Sequence, residues 1–215
     1  MNKNIDYSLY LVTDQRLSLG RGLIDVAMEA VAGGVNIVQI REKDCDTRDF
    51  FQLALAMKKA LSKTGVPLII NDRVDVAIAA GAHGVHVGQT DLPCRVVREM
   101  MGPDKILGVS INTFEQITEA EKLDIDYLSL SPVFPTPTKP DTTPAFGIEG
   151  LKKARQKTKR PLITIGGVNK DNLREIIDAG MDGAAVVSAI CSAPSPLRAA
   201  RELADLISKA RNQKE

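Results

Sequence analysis

The chain has 215 residues, enough for one well-buried core and near the low end of the size at which eight β/α units close a barrel. Lys and Arg total 28 against 27 Asp and Glu, and the formal net charge of +1 supplies no global field to draw nucleic acid or an anionic membrane. Aromatic residues make up 4% with no Trp, which removes the stacking platform that single-stranded nucleic acid needs. These bounds predict small-molecule partners, no nucleic acid and no membrane, and leave the oligomeric state open. Cys45, Cys94 and Cys191 are odd in number and far apart, without C-x-x-C spacing, and read as reduced thiols with no zinc or redox role. The first six residues lack a signal-peptide apolar region, and no apolar run nears the ~20 residues of a membrane span, so a cytoplasmic protein is expected.

Eight short aliphatic runs follow in order: Leu9–Val12, Ile37–Ile40, Leu68–Ile70, Val85–Val87, Ile106–Val109, Tyr127–Leu130, Leu162–Ile165 and Ala185–Val187. Each stops at small or polar residues: Thr13-Asp14, Gln39 to Lys43, Asn71-Asp72, Gly88 to Asp91, Ser110, Ser129 to Ser131, Gly166-Gly167 and Ser188. Strands of a parallel barrel are buried on both faces and read as continuous apolar runs, while the loops after them build the active site. Between the runs lie stretches with apolar residues three and four apart, such as Phe50, Phe51, Leu53, Ala54, Met57 and Leu61, which predict helices. Ala-Gly junctions at Gly33-Gly34, Gly81 and Gly180 supply left-handed helix stops at the opposite end. The predicted fold is a single-domain (β/α)8 TIM barrel over residues 1–215, its core at about 7–210.

Two βα loops stand apart. Residues 131–144 carry five prolines, which exclude helix and central strand and suggest a lid. Ser192 to Pro196 separates strand eight from a closing helix that Ser195 and Pro196 start as N-cap and first residue.

The chemistry concentrates in four constellations. Asp72 and Asp91, after adjacent strands three and four, are spaced to share one hard cation such as Mg²⁺, with coordination left for water and phosphate. Equally open is a capping role, with Asn71 or Asp72 starting a helix at Val74 to Ala80 and Asp91 starting the next. By strand alternation Gln39, Arg41 and Lys43 share one side and Ile40 and Glu42 the other, so three long donors face an anion or, on the bland alternative, water. Thr136, Thr138 and Lys139 lie on a proline-stiffened backbone, either a phosphate lid or a surface turn. Gly166-Gly167 with Val187-Ser188 occupies the place after strands seven and eight where barrels bind phosphate through backbone N–H groups; a tight βα turn is the other reading. His83 and His86 are the only imidazoles and read as satisfied structural histidines. No Ser-His-Asp, Cys-His or H-E-x-x-H arrangement is visible.

In combination, Gln39-Ile-Arg-Glu-Lys43, Ile70-Asn-Asp72, Gly84-Val-His-Val-Gly-Gln89 with Asp91-Leu-Pro93, Ser131-Pro-Val-Phe-Pro-Thr-Pro-Thr-Lys139 and Ile165-Gly-Gly167 resemble the thiamine-phosphate synthase family, from strand one to the last helix. The resemblance implies a hydroxymethylpyrimidine diphosphate and a phosphorylated thiazole as substrates. It implies a pyrimidine diphosphate site at Gln39, Ile40, Arg41, Glu42, Lys43, Asn71, Ser110 and Lys139, with Mg²⁺ on Asp72 and Asp91. The thiazole phosphate would take Thr136, Pro137, Thr138, Gly167, Val187 and Ser188, and catalysis would fall to Arg41, Lys43, Ser110 and Lys139. His83 stands where the family more often has an acid, and the stretch after Lys139 is irregular for it. A thiazole tautomerase-like isomerase and a non-catalytic regulator of the same fold are the alternatives. Asp72, Asp91, Arg41 and Lys139 together argue against the isomerase. Thr13-Asp14 has no assignment.

Overall fold

A computed structural model of the chain describes residues 5–135 and 144–213. Its strands are β1 (Leu9–Val12), β2 (Ile37–Ile40), β3 (Leu68–Asn71), β4 (Gly84–Val87), β5 (Ile106–Ile111), β6 (Tyr127–Leu130), β7 (Leu162–Thr164) and β8 (Gly183–Val186). Every neighbour pairs in parallel, and β8 returns to β1 through Tyr10 opposite Ala185, closing the barrel. The expected runs hold, with shifts at their ends: β5 continues to Ile111, and Ile165 and Val187 fall past β7 and β8.

The helices are α1 (Leu23–Ala32), α2 (Thr47–Leu61), α3 (Val74–Ala79), α4 (Cys94–Met101), α5 (Phe114–Ala120), α6 (Gly147–Lys157), α7 (Leu173–Asp178), α8 (Ser188–Cys191) and α9 (Pro196–Asn212). In α2 the buried residues are Phe50, Ala54, Met57 and Leu61, at spacings of four, three and four, so one stripe faces the sheet. Full burial of a side chain such as Phe50 contributes about 2 kcal/mol. α9 starts as expected, with Ser195 accepting from Arg198 N (3.4 Å) and Pro196 at the first helical position. The left-handed stops are Gly34 (φ 111°), Gly81 (φ 61°) and Gly180 (φ 94°); Gly33 itself stays right-handed as the cap of α1.

The capping alternative for the two aspartates does not hold. α3 is capped by Arg73 without a side-chain bond, and Asp72 sits at φ 60°, its carboxylate turned to Lys43. α4 follows Pro93, while Asp91 accepts from the backbone N–H of Gly88 at 2.7 Å. The physical reason is the tight turn after β3. Asp72 N donates to His86 O across the sheet (2.8 Å), Arg73 N donates back to Asn71 O (2.7 Å), and Val74 N at the start of α3 is taken by the backbone carbonyl of Asp72 (3.1 Å).

Two cores result. The outer one lies between sheet and helices and takes Leu9, Leu11, Val38, Ile40, Leu68 and Ile70. The inner one fills the barrel with Tyr7, Tyr10, Val12, Ile37, Ile69, Ile106, Tyr127, Ile163 and Ala185. Period-two alternation sorts the two sets.

Candidate active site

The same alternation decides which polar residues enter the barrel. Gln39 pairs beside Ile69, Asn71 beside His86, and Ser110 beside Ser129, so all of these project inward above the apolar floor. They line an inner cavity of about 90 Å³ together with Tyr10, Tyr127 and Arg41. Ile40 points the other way, into the outer core, and Glu42 is half-buried past the strand end. Burial, Asp14 and then Asp44 push the Glu42 carboxyl up against the opposing pull of Arg41. Its Oε1 is buried without a hydrogen-bond partner among the described residues.

The inner cavity opens beside a larger one of about 420 Å³ at the ends of β6, β7, β8 and β1. Gly166, Gly167, Val187 and Ser188 line it, as expected of a phosphate site. Gly166 and Gly167 have φ of 99° and 70°, and a Cβ on them would lie 2.9 Å from Pro132 and 2.8 Å from Phe134. Glycine is required there by conformation and by close approach, because the β6–α6 loop rests on this turn through Phe134 N to Gly166 O (3.1 Å). The tight turn is therefore present, and it also forms a wall of this cavity. Ser188 and Ala189 open α8, so their N–H groups lack partners inside the helix. Val12, Arg41, Ser131, Ile165 and Ala185 border both cavities.

Strand end one, unassigned by sequence, holds Arg41. Thr13 Oγ1 accepts from Arg41 N (3.4 Å), and Asp14 Oδ2 lies 3.9 Å from its guanidinium, which is thereby kept at the boundary between the cavities. Lys43 donates to Asp72, and Asp72 stands next to Asp91. Burial first, then the Asp72 carboxylate, raises Asp91 above the usual carboxylate range, with the Gly88 N–H and Lys43 opposing. Two carboxylates crowded at one lysine form a donor set with an excess of negative charge, hard oxygens and no nitrogen or sulfur. Those properties fit Mg²⁺, which binds through one or two carboxylates and keeps water and phosphate oxygens. Among the described residues no group of three or more His, Cys, Asp or Glu is placed to hold a metal.

His86 is the residue that sequence reasoning set aside. Its Nδ1 meets the Tyr127 hydroxyl and its Nε2 the Ser110 hydroxyl, both at 2.9 Å, inside the inner cavity. His83 behaves as read: its Nδ1 accepts from Leu68 N at the other end of the barrel (2.9 Å). Thr136, Pro137, Thr138 and Lys139 lie outside the described residues, so the lid expectation has no structural counterpart here. No helix among the described residues is long and apolar enough to cross a membrane.

A family model described as thiamine monophosphate synthase matches residues 9–190. A thiamine-phosphate synthase of Syntrophomonas wolfei is 52% identical over 200 residues, covering 93% of this chain and 96% of that one. The structure of a thiamine phosphate pyrophosphorylase from Pyrococcus furiosus superposes with a TM-score of 0.87 at 36% identity, covering 95% of this chain and 97% of the other. A 3-hexulose-6-phosphate synthase shares the barrel at a TM-score of 0.70 and 18% identity, a likeness of fold alone. A match of this length shows that the chain belongs to the thiamine monophosphate synthase family.

Proposed function

We propose that the chain joins 4-amino-2-methyl-5-(diphosphooxymethyl)pyrimidine to a (carboxy)thiazole ethyl phosphate, giving thiamine phosphate and diphosphate. The observation that carries this reading is the pair of adjoining cavities with Arg41 on their common border. Two substrates that must form one bond need two compartments that meet.

In this reading Gln39, Asn71 and Ser110 hold the pyrimidine in the inner cavity, with its methylene toward the border. The methylene carbon to oxygen bond breaks first, and its electron pair leaves with diphosphate. Positive charge then sits on the pyrimidine methylene, and the thiazole nitrogen attacks it with its lone pair. No general base is required. The protein's task is to stabilise the departing anion and align the partners. Arg41, Lys43 and Lys139 neutralise the diphosphate. Lys43, paired here with Asp72, would be free to meet a diphosphate oxygen if that carboxylate held Mg²⁺. Asp72 and Asp91 would hold Mg²⁺, which when bound supplies Lewis-acid neutralisation of the leaving group. Thr136, Pro137, Thr138, Gly167, Val187 and Ser188 take the thiazole phosphate, whose position fixes the nitrogen near the border.

The test incubates the protein with both substrates, with and without Mg²⁺, and follows thiamine phosphate and diphosphate together. Equimolar appearance of the two products that depends on Mg²⁺ is expected. Failure to form either with Mg²⁺ present sinks the reading.

A further inference from the structure

The floor of the inner cavity is a continuous hydrogen-bond chain contributed by five different strands. Gln39 Nε2 donates to the Tyr10 hydroxyl (2.7 Å), and the Tyr10 and Tyr127 hydroxyls are 2.9 Å apart. Tyr127 reaches His86 Nδ1, and His86 Nε2 reaches Ser110 Oγ, each at 2.9 Å. The two ends of the chain, Gln39 and Ser110, are the side chains that the proposed function assigns to the pyrimidine. The three links between them have no role in that proposal.

The orientation of the Gln39 amide, with Nε2 toward the Tyr10 hydroxyl, sets the direction of the chain. Burial pushes both phenols up, so each keeps its single proton. Tyr10 accepts from Gln39, and its own proton therefore goes to the Tyr127 oxygen. Tyr127 in turn donates to His86 Nδ1, which leaves the imidazole proton on Nε2, donated to Ser110 Oγ. The Ser110 proton is thereby released toward the cavity, while Gln39 keeps its carbonyl oxygen free. The reverse direction turns the Gln39 amide over and engages the Ser110 proton with His86. Donor and acceptor at the two ends are thus coupled through the chain. A cavity presenting an acceptor at Gln39 and a donor at Ser110 suits a ring that offers an amino group and a lone pair, as an aminopyrimidine does.

We infer that Tyr10, Tyr127 and His86 are positioning residues that set the hydrogen-bonding polarity of Gln39 and Ser110 toward an aminopyrimidine ligand. The inference rests on the proposed function for the identity of that ligand, and on the geometry alone for the polarity.

Tyr127→Phe is the variant of choice. It keeps the ring, which packs where a Cβ on Gly108 would fall 2.0 Å away, and removes only the hydroxyl. With folding checked by circular dichroism, it is expected to lower kcat/KM for the pyrimidine diphosphate about tenfold, the worth of one buried hydrogen bond, and to leave KM for the thiazole phosphate unchanged. In a Ser110→Ala background the same change should cost about threefold in place of tenfold, because one of the two ends it acts through is gone. Tyr10→Phe, one link away, should repeat both results and replaces Tyr127→Phe if that variant fails to fold. The ring nitrogen shifts of His86, assigned by comparison with His83→Gln, should report a proton on Nε2 in the free protein. Full additivity with Ser110→Ala, equal losses for both substrates, no loss, or a proton on Nδ1 would each overturn the inference. Absence of turnover in the unaltered chain would instead overturn the proposed function, and the nitrogen shifts would still decide the polarity.

Discussion

The two ends of the barrel solve opposite problems. At the N-terminal end, the residue just before every even-numbered strand accepts a hydrogen bond from an N–H at the start of the preceding strand. Asn36 takes Leu9 N (3.0 Å), His83 takes Leu68 N (2.9 Å), Asp126 takes Leu107 N (2.8 Å) and Asp182 takes Leu162 N (2.8 Å). Asp126 and Asp182 also receive guanidinium groups from Arg98 (2.7 Å) and Arg155 (2.8 Å), so each carboxylate there has partners for its charge. At the C-terminal end the accounts stay open. Asp72 and Asp91 share one lysine, Glu42 carries a buried oxygen with no partner among the described residues, and Asp72 occupies a left-handed conformation that costs a non-glycine residue of order 1 kcal/mol. A ligand that brings cations and anions can close those accounts. The contrast separates residues kept for stability from residues kept for chemistry, and it can be broken by substitution at either end.

The largest effect is expected at the open end. Asp91→Asn keeps an oxygen able to accept from Gly88 N but removes one of two crowded charges. Turnover should fall about a thousandfold through lost stabilisation of the leaving anion, while the melting temperature stays level or rises. Steady-state kinetics with thermal unfolding of the ligand-free protein checks both. A clear drop in melting temperature with turnover intact would place Asp91 with the structural residues and dissolve the contrast.

Asp126→Ala is the mirror image. It takes from the Arg98 guanidinium, whose side chain is 11% exposed, the nearer of its two carboxylate partners, and leaves Leu107 N without an acceptor. Stability should fall by about 3 kcal/mol, read by denaturant unfolding, with kcat unchanged where the protein remains folded. A loss of kcat at full folding would mean that the bottom clamp also sets the mouth.

Much of this division was legible in the sequence. The eight runs located the strands, since a strand buried on both faces is mostly apolar until its end. Gln39, Arg41 and Lys43 stood out as donors at a strand end and Asp72 and Asp91 as a pair on adjacent strands, while Asn71 and Ser110 entered the site through the family resemblance. His86 reads as a satisfied core histidine and is one, yet a histidine inside an apolar run carries no sign that its partners are Tyr127 and Ser110. That partnership depends on cross-strand register, with Asn71 on one side and Gly108 on the other, and on the Tyr127 ring filling the space that Gly108 leaves. Register between strands is a property of the closed barrel and leaves no trace in local spacing. Asp14 and Thr13 were unassigned for the same reason: their partner, Arg41, is the next strand's residue. The capping box of α5, Thr113 with Gln116, was open to reading as T-x-x-Q and was passed over.

The smallest effect, and the finest test of the contrast, lies at His83. It holds the clamp position that Asp126 and Asp182 fill with carboxylates, yet a histidine can accept from Leu68 N only while Nδ1 is unprotonated. Burial first, then Lys105 and Lys58, lowers its pKa from the ordinary 6.5. The unfolded chain therefore takes up the proton more readily than the folded one, so the stability His83 contributes is whole above about pH 6.5 and is lost as pH falls through the lowered folded value. His83→Asp should remove that dependence, since the carboxylate accepts from Leu68 N at both pH values and faces the same two lysines favourably. The gain at pH 7 should be about 1 kcal/mol and larger at pH 5.5, measured as the difference between urea midpoints at the two values. If the unaltered protein and His83→Asp lose stability in parallel between pH 7 and 5.5, the imidazole is not the group being titrated.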